Sequence, residues 1–185
     1  MRVLGISGSL RRGSHNRMLL RAAAELLPPG VELELWDGLK AVPPYDEDDD
    51  IEPSPAGVAD LRDAIADADG LLIATPEYNH SLPGQLKNAL DWASRPVGAS
   101  VLRNKPAVVV GASTGAFGAV WSQAEVRKVL AAAGARVVDA ELAVGHADQR
   151  FDPDGRLTDA GMREELREAI AVLVQEAQTR LSAAA

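Results

Sequence analysis

The sequence predicts an α/β fold, a five-stranded parallel sheet with helices on both faces. Three observations predict it. Short apolar runs alternate five times with segments of helical periodicity. The runs at Val3 to Ile6, Leu71 to Ala74 and Pro106 to Val110 show no polar alternation, as strands buried on both faces require. Each of these three runs stops in a polar loop rich in glycine, serine or proline.

Val3 to Ile6 is the first strand, and Ser7 to Asn16 is the loop after it. Leu19, Leu20, Ala23, Leu26 and Leu27 then recur at helical spacing until Pro28-Pro29-Gly30 ends the pattern. Val31, Leu33 and Leu35 alternate with glutamates, which predicts a second strand nearer an edge. Residues 36–56 hold Pro43, Pro44, Pro53, Pro55 and the run Asp46 to Asp50, so a long irregular loop is expected. Val58, Leu61, Ile65 and Ala68 mark the second helix. Leu71 to Ala74 is the third strand, stopped at Thr75 by Pro76, which cannot donate a ladder hydrogen bond. Pro83-Gly84 opens a helix with Leu86, Ala89, Leu90 and Ala93 on one face. Pro106 to Val110 is the fourth strand, followed by a helix over Trp121, Ala124, Val126, Val129, Leu130 and Ala133 that Gly134 closes. Arg136 to Ala140, alone or joined by Glu141 to Val144, supplies the fifth strand. Phe151 to Gly155 reads as a turn, and Met162, Leu166, Ile170, Leu173 and Ala177 as the last helix. Strand order 2-1-3-4-5 is expected, because it opens a crevice between strands one and three. The whole chain, 1–185, is expected to form one domain.

Composition removes several function classes. A net charge of −8 and a pI of about 4.9 argue against nucleic acid or an anionic membrane as partner. Any phosphate must therefore be held by local geometry. Cysteine is absent, which excludes disulfides, thiolate metal sites and a cysteine nucleophile. The opening M-R-V-L-G-I-S-G-S reads as a core strand whose apolar run is too short for a signal peptide, and no run approaches a membrane span. A soluble, cytoplasmic protein is expected.

Three loops, after strands one, three and four, should meet at one sheet edge. In G-S-L-R-R-G-S-H-N the chain enters a helix, where free N–H groups and the helix dipole attract an anion. Ser9, Ser14 and Asn16 add neutral donors there and Arg11 a charged fork. The loop is neither a Walker A nor a G-x-G-x-x-G fingerprint. T-P-E-Y-N-H-S-L-P-G offers an aromatic ring with backbone donors and acceptors, which suits a planar heterocycle with amide-like edges. G-A-S-T-G-A-F-G lets backbone approach a flat ligand. Phosphate at one end and a ring held between two loops is what a mononucleotide requires.

The chain resembles the NAD(P)H-dependent FMN reductase family of flavodoxin-like quinone, chromate and azo-dye reductases. The resemblance rests on G-S-L-R-x-x-S-x-N-x-x-L-L at Gly8 to Leu20, on P-E-Y-N-x-S-x-P-G-x-L-K-N-A-x-D-W-x-S-R at Pro76 to Arg95, and on the glycine-rich loop 111–118. It implies a flavodoxin-like three-layer sandwich. It further implies FMN as cofactor, with Ser9, Arg11, Ser14 and Asn16 on its phosphate. Pro76, Glu77, Tyr78 and Asn79 would line the isoalloxazine, largely through backbone atoms, and Ser113, Thr114 and Gly115 would close its other side. NADPH or NADH would be the co-substrate and a quinone-like small molecule the electron acceptor, in a ping-pong reaction that needs no obligatory side-chain acid or base. A homodimer or homotetramer with the flavin near a subunit interface is implied as well.

Other readings of single motifs are weaker. Gly111-Ala112-Ser113-Thr114-Gly115 fits the G-x-S-x-G nucleophile elbow of a serine hydrolase, and Asp139 and His146 follow in the right order. Only 72 residues follow Ser113, however, and that reading leaves the P-E-Y-N loop unexplained. An FMN-binding carrier or redox sensor without fast turnover is the other class. No metal site is expected: Asp46 to Asp50 reads as a solvated run. Asp152 and Asp154 read as a turn, without the closing glutamate of a calcium loop. His15 is expected at the surface or helix start, Trp92 in the core or at a dimer contact, and Arg95 in solvent or at an interface.

Overall fold

Strands β1 (Arg2–Ser7), β2 (Glu32–Trp36), β3 (Gly70–Thr75), β4 (Pro106–Ala112) and β5 (Arg136–Val137) stand in the order β2-β1-β3-β4-β5, every pair parallel. A further strand, β6 (Ala143–Val144), also pairs with β4. These elements come from a computed structural model that describes residues 1–184; Ala185, the end of the expected domain, lies outside the described residues. Helices α1 (His15–Ala24), α2 (Ala56–Asp67), α3 (Gly84–Ala93), α4 (Val120–Ala132) and α5 (Ala160–Ala184) make the crossovers. The arrangement is the three-layer, flavodoxin-like one read from the sequence.

The period-two alternation of a strand sorts the central residues into two cores. Leu4, Ile6, Leu71, Ile73, Ala107 and Val109 face α2, α3 and α4, where Val58, Leu61, Ile65, Leu86, Trp92, Val126 and Leu130 are buried. Val3, Leu72, Ala74, Val108 and Val110 face α1 and α5, against Leu19, Leu20, Leu166, Ile170 and Leu173. Each Val, Leu or Ile among them, fully buried, contributes about 1.5–3 kcal/mol. Strand β2, exposed at alternate positions, is the edge that its glutamates predict. Helix α1 stops at Ala24, short of Leu26 and Leu27, which remain partly buried against the second core.

The expected irregular loop 36–56 is tied down rather than loose, and it contains two 3₁₀ turns, Gly38–Ala41 and Glu47–Asp49. Polar side chains of α3 hold it. The Gln85 amide donates to the carbonyls of Leu39 and Val42, at 2.9 and 2.8 Å. Asn88 donates to Pro43 O and accepts from Tyr45 N–H, each at 2.7 Å. The indole N–H of fully buried Trp92 also donates to Pro43 O, at 2.9 Å. Trp92 is thus a core residue. Arg95 is half-buried: its Nε donates to the Tyr45 hydroxyl at 3.1 Å, and its guanidinium lies over that ring.

The fifth strand departs from expectation. Instead of one run over 136–144, two two-residue strands, β5 and β6, pair with opposite ends of β4. Between them the chain bulges away and leaves the middle of β4 short of a donor. The Arg127 guanidinium of α4 supplies it, donating to Val109 O at 3.0 Å and Ala140 O at 3.3 Å, and pairing with Glu141 at 3.1 Å. A side chain replaces a strand partner here, as a buried carbonyl requires.

At the opposite end of β4, buried Lys105 donates to Ala66 O at 3.1 Å and to Ala68 O, carbonyls at the C-terminus of α2. Burial first, then Arg180, lowers its pKa from 10.5 to about 8, against the pull of Asp69 and Asp67. Between about pH 8 and 10.5 the unfolded chain therefore binds more protons at this residue than the folded chain does. Its contribution to stability rises with pH across that window. Urea unfolding of the protein and its Lys105→Met variant should show a stability difference that is flat below the window and grows in favour of the native residue within it.

Candidate functional site

Parallel register brings three loops to one edge. Ser7 pairs with Ala74 and Thr75 with Gly111, so β1, β3 and β4 end abreast. The loops that follow enclose a cleft of about 260 Å³. Of the residues singled out in the sequence, Ser9, Arg11, Ser14, Asn16, Pro76, Glu77, Tyr78, Ser113 and Thr114 line this cleft. Asn79 and Gly115 lie just outside its wall.

In the first loop, Gly8 N–H extends the β1–β3 ladder by donating to Ala74 O at 2.8 Å. The Ser9 hydroxyl accepts from Arg11 N–H at 3.4 Å, folding the loop back on itself. Ser14 caps α1, its hydroxyl accepting from Arg17 N–H at 3.2 Å. Among the described residues, the N–H groups of Gly13, Ser14, His15 and Asn16 meet no acceptor. Four free donors at a helix N-terminus, beside the Arg11 guanidinium, form an anion cradle.

The Asn16 side chain is a structural clamp. Its buried amide donates to Ala112 O and accepts from Ala112 N–H, both at 2.9 Å. The side chain thus acts as one more strand beside the end of β4 and fixes the anion cradle relative to the third loop. Its backbone N–H stays available to a ligand. His15, the first residue of α1, also lines the cleft and stacks on Phe151, ring centroids 5.7 Å apart. Burial and then the Arg11 charge lower its pKa below 6.5, which leaves a neutral imidazole at neutral pH.

The second loop is a two-residue hairpin. Tyr78 and Ser81 exchange both backbone hydrogen bonds at 3.1 Å, and Asn79 and His80 carry φ of 54° and 60°. Positive φ at both central residues is what a type I′ turn requires, and Asn and His tolerate it better than most. Glu77 reaches across to α4, where the preceding Ala119 has no side-chain cap to offer. Its carboxylate accepts from Trp121 N–H at 3.1 Å and Ser122 N–H at 3.3 Å, and its side chain is only 13% exposed. Glu77 is a helix cap supplied from another loop. His80, Trp121 and Phe117 stack edge to face beside it, at 5.0 and 5.1 Å. With Tyr78 they leave an exposed aromatic rim: Tyr78 is 53%, Phe117 63% and Trp121 42% exposed.

Protein packing requires glycine at Gly118 and at Gly145, whereas a Cβ on Gly115 would meet only Ser113 Oγ, at 3.5 Å. A Cβ on Gly118 would stand 2.3 Å from the carbonyl carbon of Ala143, and one on Gly145 would stand 2.2 Å from Ala116 O. The loop is pressed on the segment after β6, with Ala147 N–H donating to Ser113 O and His146 N–H to Gly115 O. The Ser113 hydroxyl accepts from Gly115 N–H at 3.1 Å. Among the described residues, neither His146 nor Asp139 shares a hydrogen bond with it, so the hydrolase triad is not assembled.

Among the described residues there is no group of three or more His, Asp or Glu side chains fit to hold a metal ion. No described helix is long and apolar enough to cross a membrane.

Residues 1–149 match the family described as NADPH-dependent FMN reductase. An NAD(P)H-dependent FMN reductase of Pseudomonas aeruginosa is 42% identical over 174 residues, 94% of this chain and 93% of that one. A 2-hydroxy-1,4-benzoquinone reductase of a Burkholderia species is 40% identical over 168 residues, 90% and 91% of the two chains. Among solved structures, the flavoenzyme NAD(P)H:(acceptor) oxidoreductase of Paracoccus denitrificans superposes with a TM-score of 0.86 at 32% identity, covering 96% of this chain and 97% of that one.

The Asn16 clamp should be structural. Asn16→Ala leaves a buried N–H and a buried carbonyl without partners and should lower unfolding stability by about 1–3 kcal/mol, measured by urea denaturation.

Proposed function

The chain belongs to the NADPH-dependent FMN reductase family, and we propose that it passes hydride from NAD(P)H through bound FMN to a quinone or similar small acceptor. One observation carries the reading. Among the described residues, the backbone N–H groups of Gly13 to Asn16 meet no acceptor, and Ser14 to Asn16 line a cleft that Pro76 to Tyr78, Ser113 and Thr114 also wall. That donor set fits a phosphate at one end of a mononucleotide and its ring at the other.

In this reading Arg11, Ser9 and the first turn of α1 hold the FMN phosphate, and Ser14 shapes that turn by capping it. Asn16 positions the turn through Ala112 and adds its backbone N–H. Pro76, Glu77, Tyr78 and Asn79 border the isoalloxazine on one side and Ser113, Thr114 and Gly115 on the other. Bound FMN supplies the hydride chemistry itself. The chain's own task is to hold, orient and shield. Glu77 is engaged by two N–H donors of α4 and serves as an orienting group rather than a proton carrier. His15, neutral and stacked on Phe151, adds no positive charge beside the phosphate.

We infer a homodimer or homotetramer, supported by the exposed rim of Tyr78, Phe117 and Trp121 at the mouth of the cleft. We also infer a cytoplasmic enzyme, on the ground that reduced nicotinamide nucleotides are generated there.

Two measurements test the reading. Arg11→Ala should weaken FMN binding by about 1.5–3 kcal/mol, an order of magnitude or more in Kd, read by fluorescence titration. Unaltered affinity would refute the phosphate assignment. Initial rates with NADPH and a benzoquinone varied together should give parallel double-reciprocal lines; intersecting lines would contradict sequential use of one flavin face.

A further inference from the structure

The exposed side of α3 is flanked by two features of opposite charge. Helical spacing puts Gln85, Asn88 and Trp92 on one flank, where they hold the 39–45 segment. That segment leads into the 3₁₀ turn Glu47–Asp49. Asp46, Glu47, Asp48 and Asp49 are all exposed, and among the described residues none has an ion-pair partner. Asp50 alone of the run is paired, with Arg62 of α2 at 2.8 Å, and Arg62 also donates to the Ser54 hydroxyl at 2.9 Å. The acidic turn is thus fastened at both ends with its carboxylates outward. Beside it, Ile51 is 65% exposed.

On the opposite flank, Lys87, Leu90, Asp91 and Ser94 form one wall of a groove of about 690 Å³. Val129, Ala132 and Ala133 of α4 form the other wall. Lys87 and Asp91 neutralise each other at 2.7 Å. Arg95 and Arg103 also line the groove, and they meet a hydroxyl and a carbonyl instead of carboxylates: Tyr45 at 3.1 Å and Gly98 O at 3.1 Å. The groove therefore carries net positive charge. At its edge Val97 is 79% exposed. Val97 and Ile51 are the two most exposed large apolar side chains among the described residues, and one stands on each flank.

A face that carries both halves of one contact is what an isologous interface requires, since residue i meets j and j meets i across a two-fold axis. An axis along α3 exchanges the flanks of the helix and sets the acidic turn of each copy on the groove of the other. An axis across α3 would set acid against acid, and like charges oppose association. We propose that this face joins two copies of the chain, each seating its 46–51 segment in the other's groove, with carboxylates against Arg103 and Arg95 and Ile51 against Val97. Exposed ion pairs add little, so charge fixes the register. Burial of Ile51, Val97 and the apolar groove wall drives the association. The face lies at the C-terminal ends of α3 and α4, away from the aromatic rim at the N-terminus of α4. The proposal deepens the assembly inferred above by naming its surface, and it rests on that reading but not on the flavin one.

Sedimentation velocity on the full-length, FMN-loaded protein tests this. The wild-type protein should sediment as a dimer, or as a tetramer where the rim joins copies as well. Asp48→Arg/Asp49→Arg reverses charge on one half of the contact, and Arg103→Glu reverses it on the other. A two-fold contact counts each substitution twice, so either variant should weaken association about tenfold or more and halve the sedimenting mass at micromolar concentration. Mixed in equal amounts, the two variants should recover the wild-type mass. In the mixed pair the two altered halves face each other with opposite charge, and the two unaltered halves still match. FMN affinity, unchanged in every variant, is the check on folding. A monomeric wild-type protein, a variant that keeps the wild-type mass, or a mixture that stays dissociated would each overturn the assignment. Failure of the wild-type protein to retain FMN would count against the proposed function instead and leave the sedimentation result standing.

Discussion

Ser7, Ala74 and Val110 lie abreast on adjacent parallel strands, and that shared register is the constraint from which the rest of the molecule follows. Parallel pairing forces each chain reversal through a helix, so all loops after strand ends fall on one side of the sheet. Here it sets the 8–14, 76–83 and 113–119 loops side by side. Two side chains then convert proximity into fixed geometry. Asn16 pins the first turn of α1 to the end of β4. Glu77 pins the second loop to the first turn of α4. Both bond side chain to backbone, so each ties one loop to the main chain of another element.

Charge distribution adds a second layer. The chain as a whole is acidic, yet among the described residues Arg11, Arg12 and Lys40 stand without ion-pair partners around one loop, while Arg17 neutralises the nearby Asp37.

The strand–loop–helix unit from Leu71 to Arg95 was readable in the sequence because each boundary has a chemical cause: Pro76 stops the strand and Pro83-Gly84 opens the helix. The three loops of the cleft were readable for the same reason. What periodicity could not show was how side chains substitute for backbone. A run from Arg136 to Val144 scores as one strand, and only the position of Arg127 on a helix reveals why it breaks into β5 and β6. The helix-capping role of Glu77 and the strand-like role of Asn16 were not legible in one dimension, because caps, strand mimics and ligand contacts draw on the same polar residue types. Gly118 reads in sequence as a ligand-approach glycine, yet it admits protein backbone at 2.3 Å from where a Cβ would sit. Arg12 and Lys40 belong to one cleft only because β1 and β2 are neighbours, a contact between residues far apart in the chain.

The claim at the centre of this account is that the cleft between the three loops holds FMN where NADPH can reduce it. Absorbance of the desalted, FMN-loaded protein under anaerobic conditions tests that claim most directly. Retained flavin bands should bleach within seconds of adding NADPH and return when a benzoquinone is added. Bands that are retained but do not bleach would contradict it and identify a flavin carrier or sensor in place of a reductase.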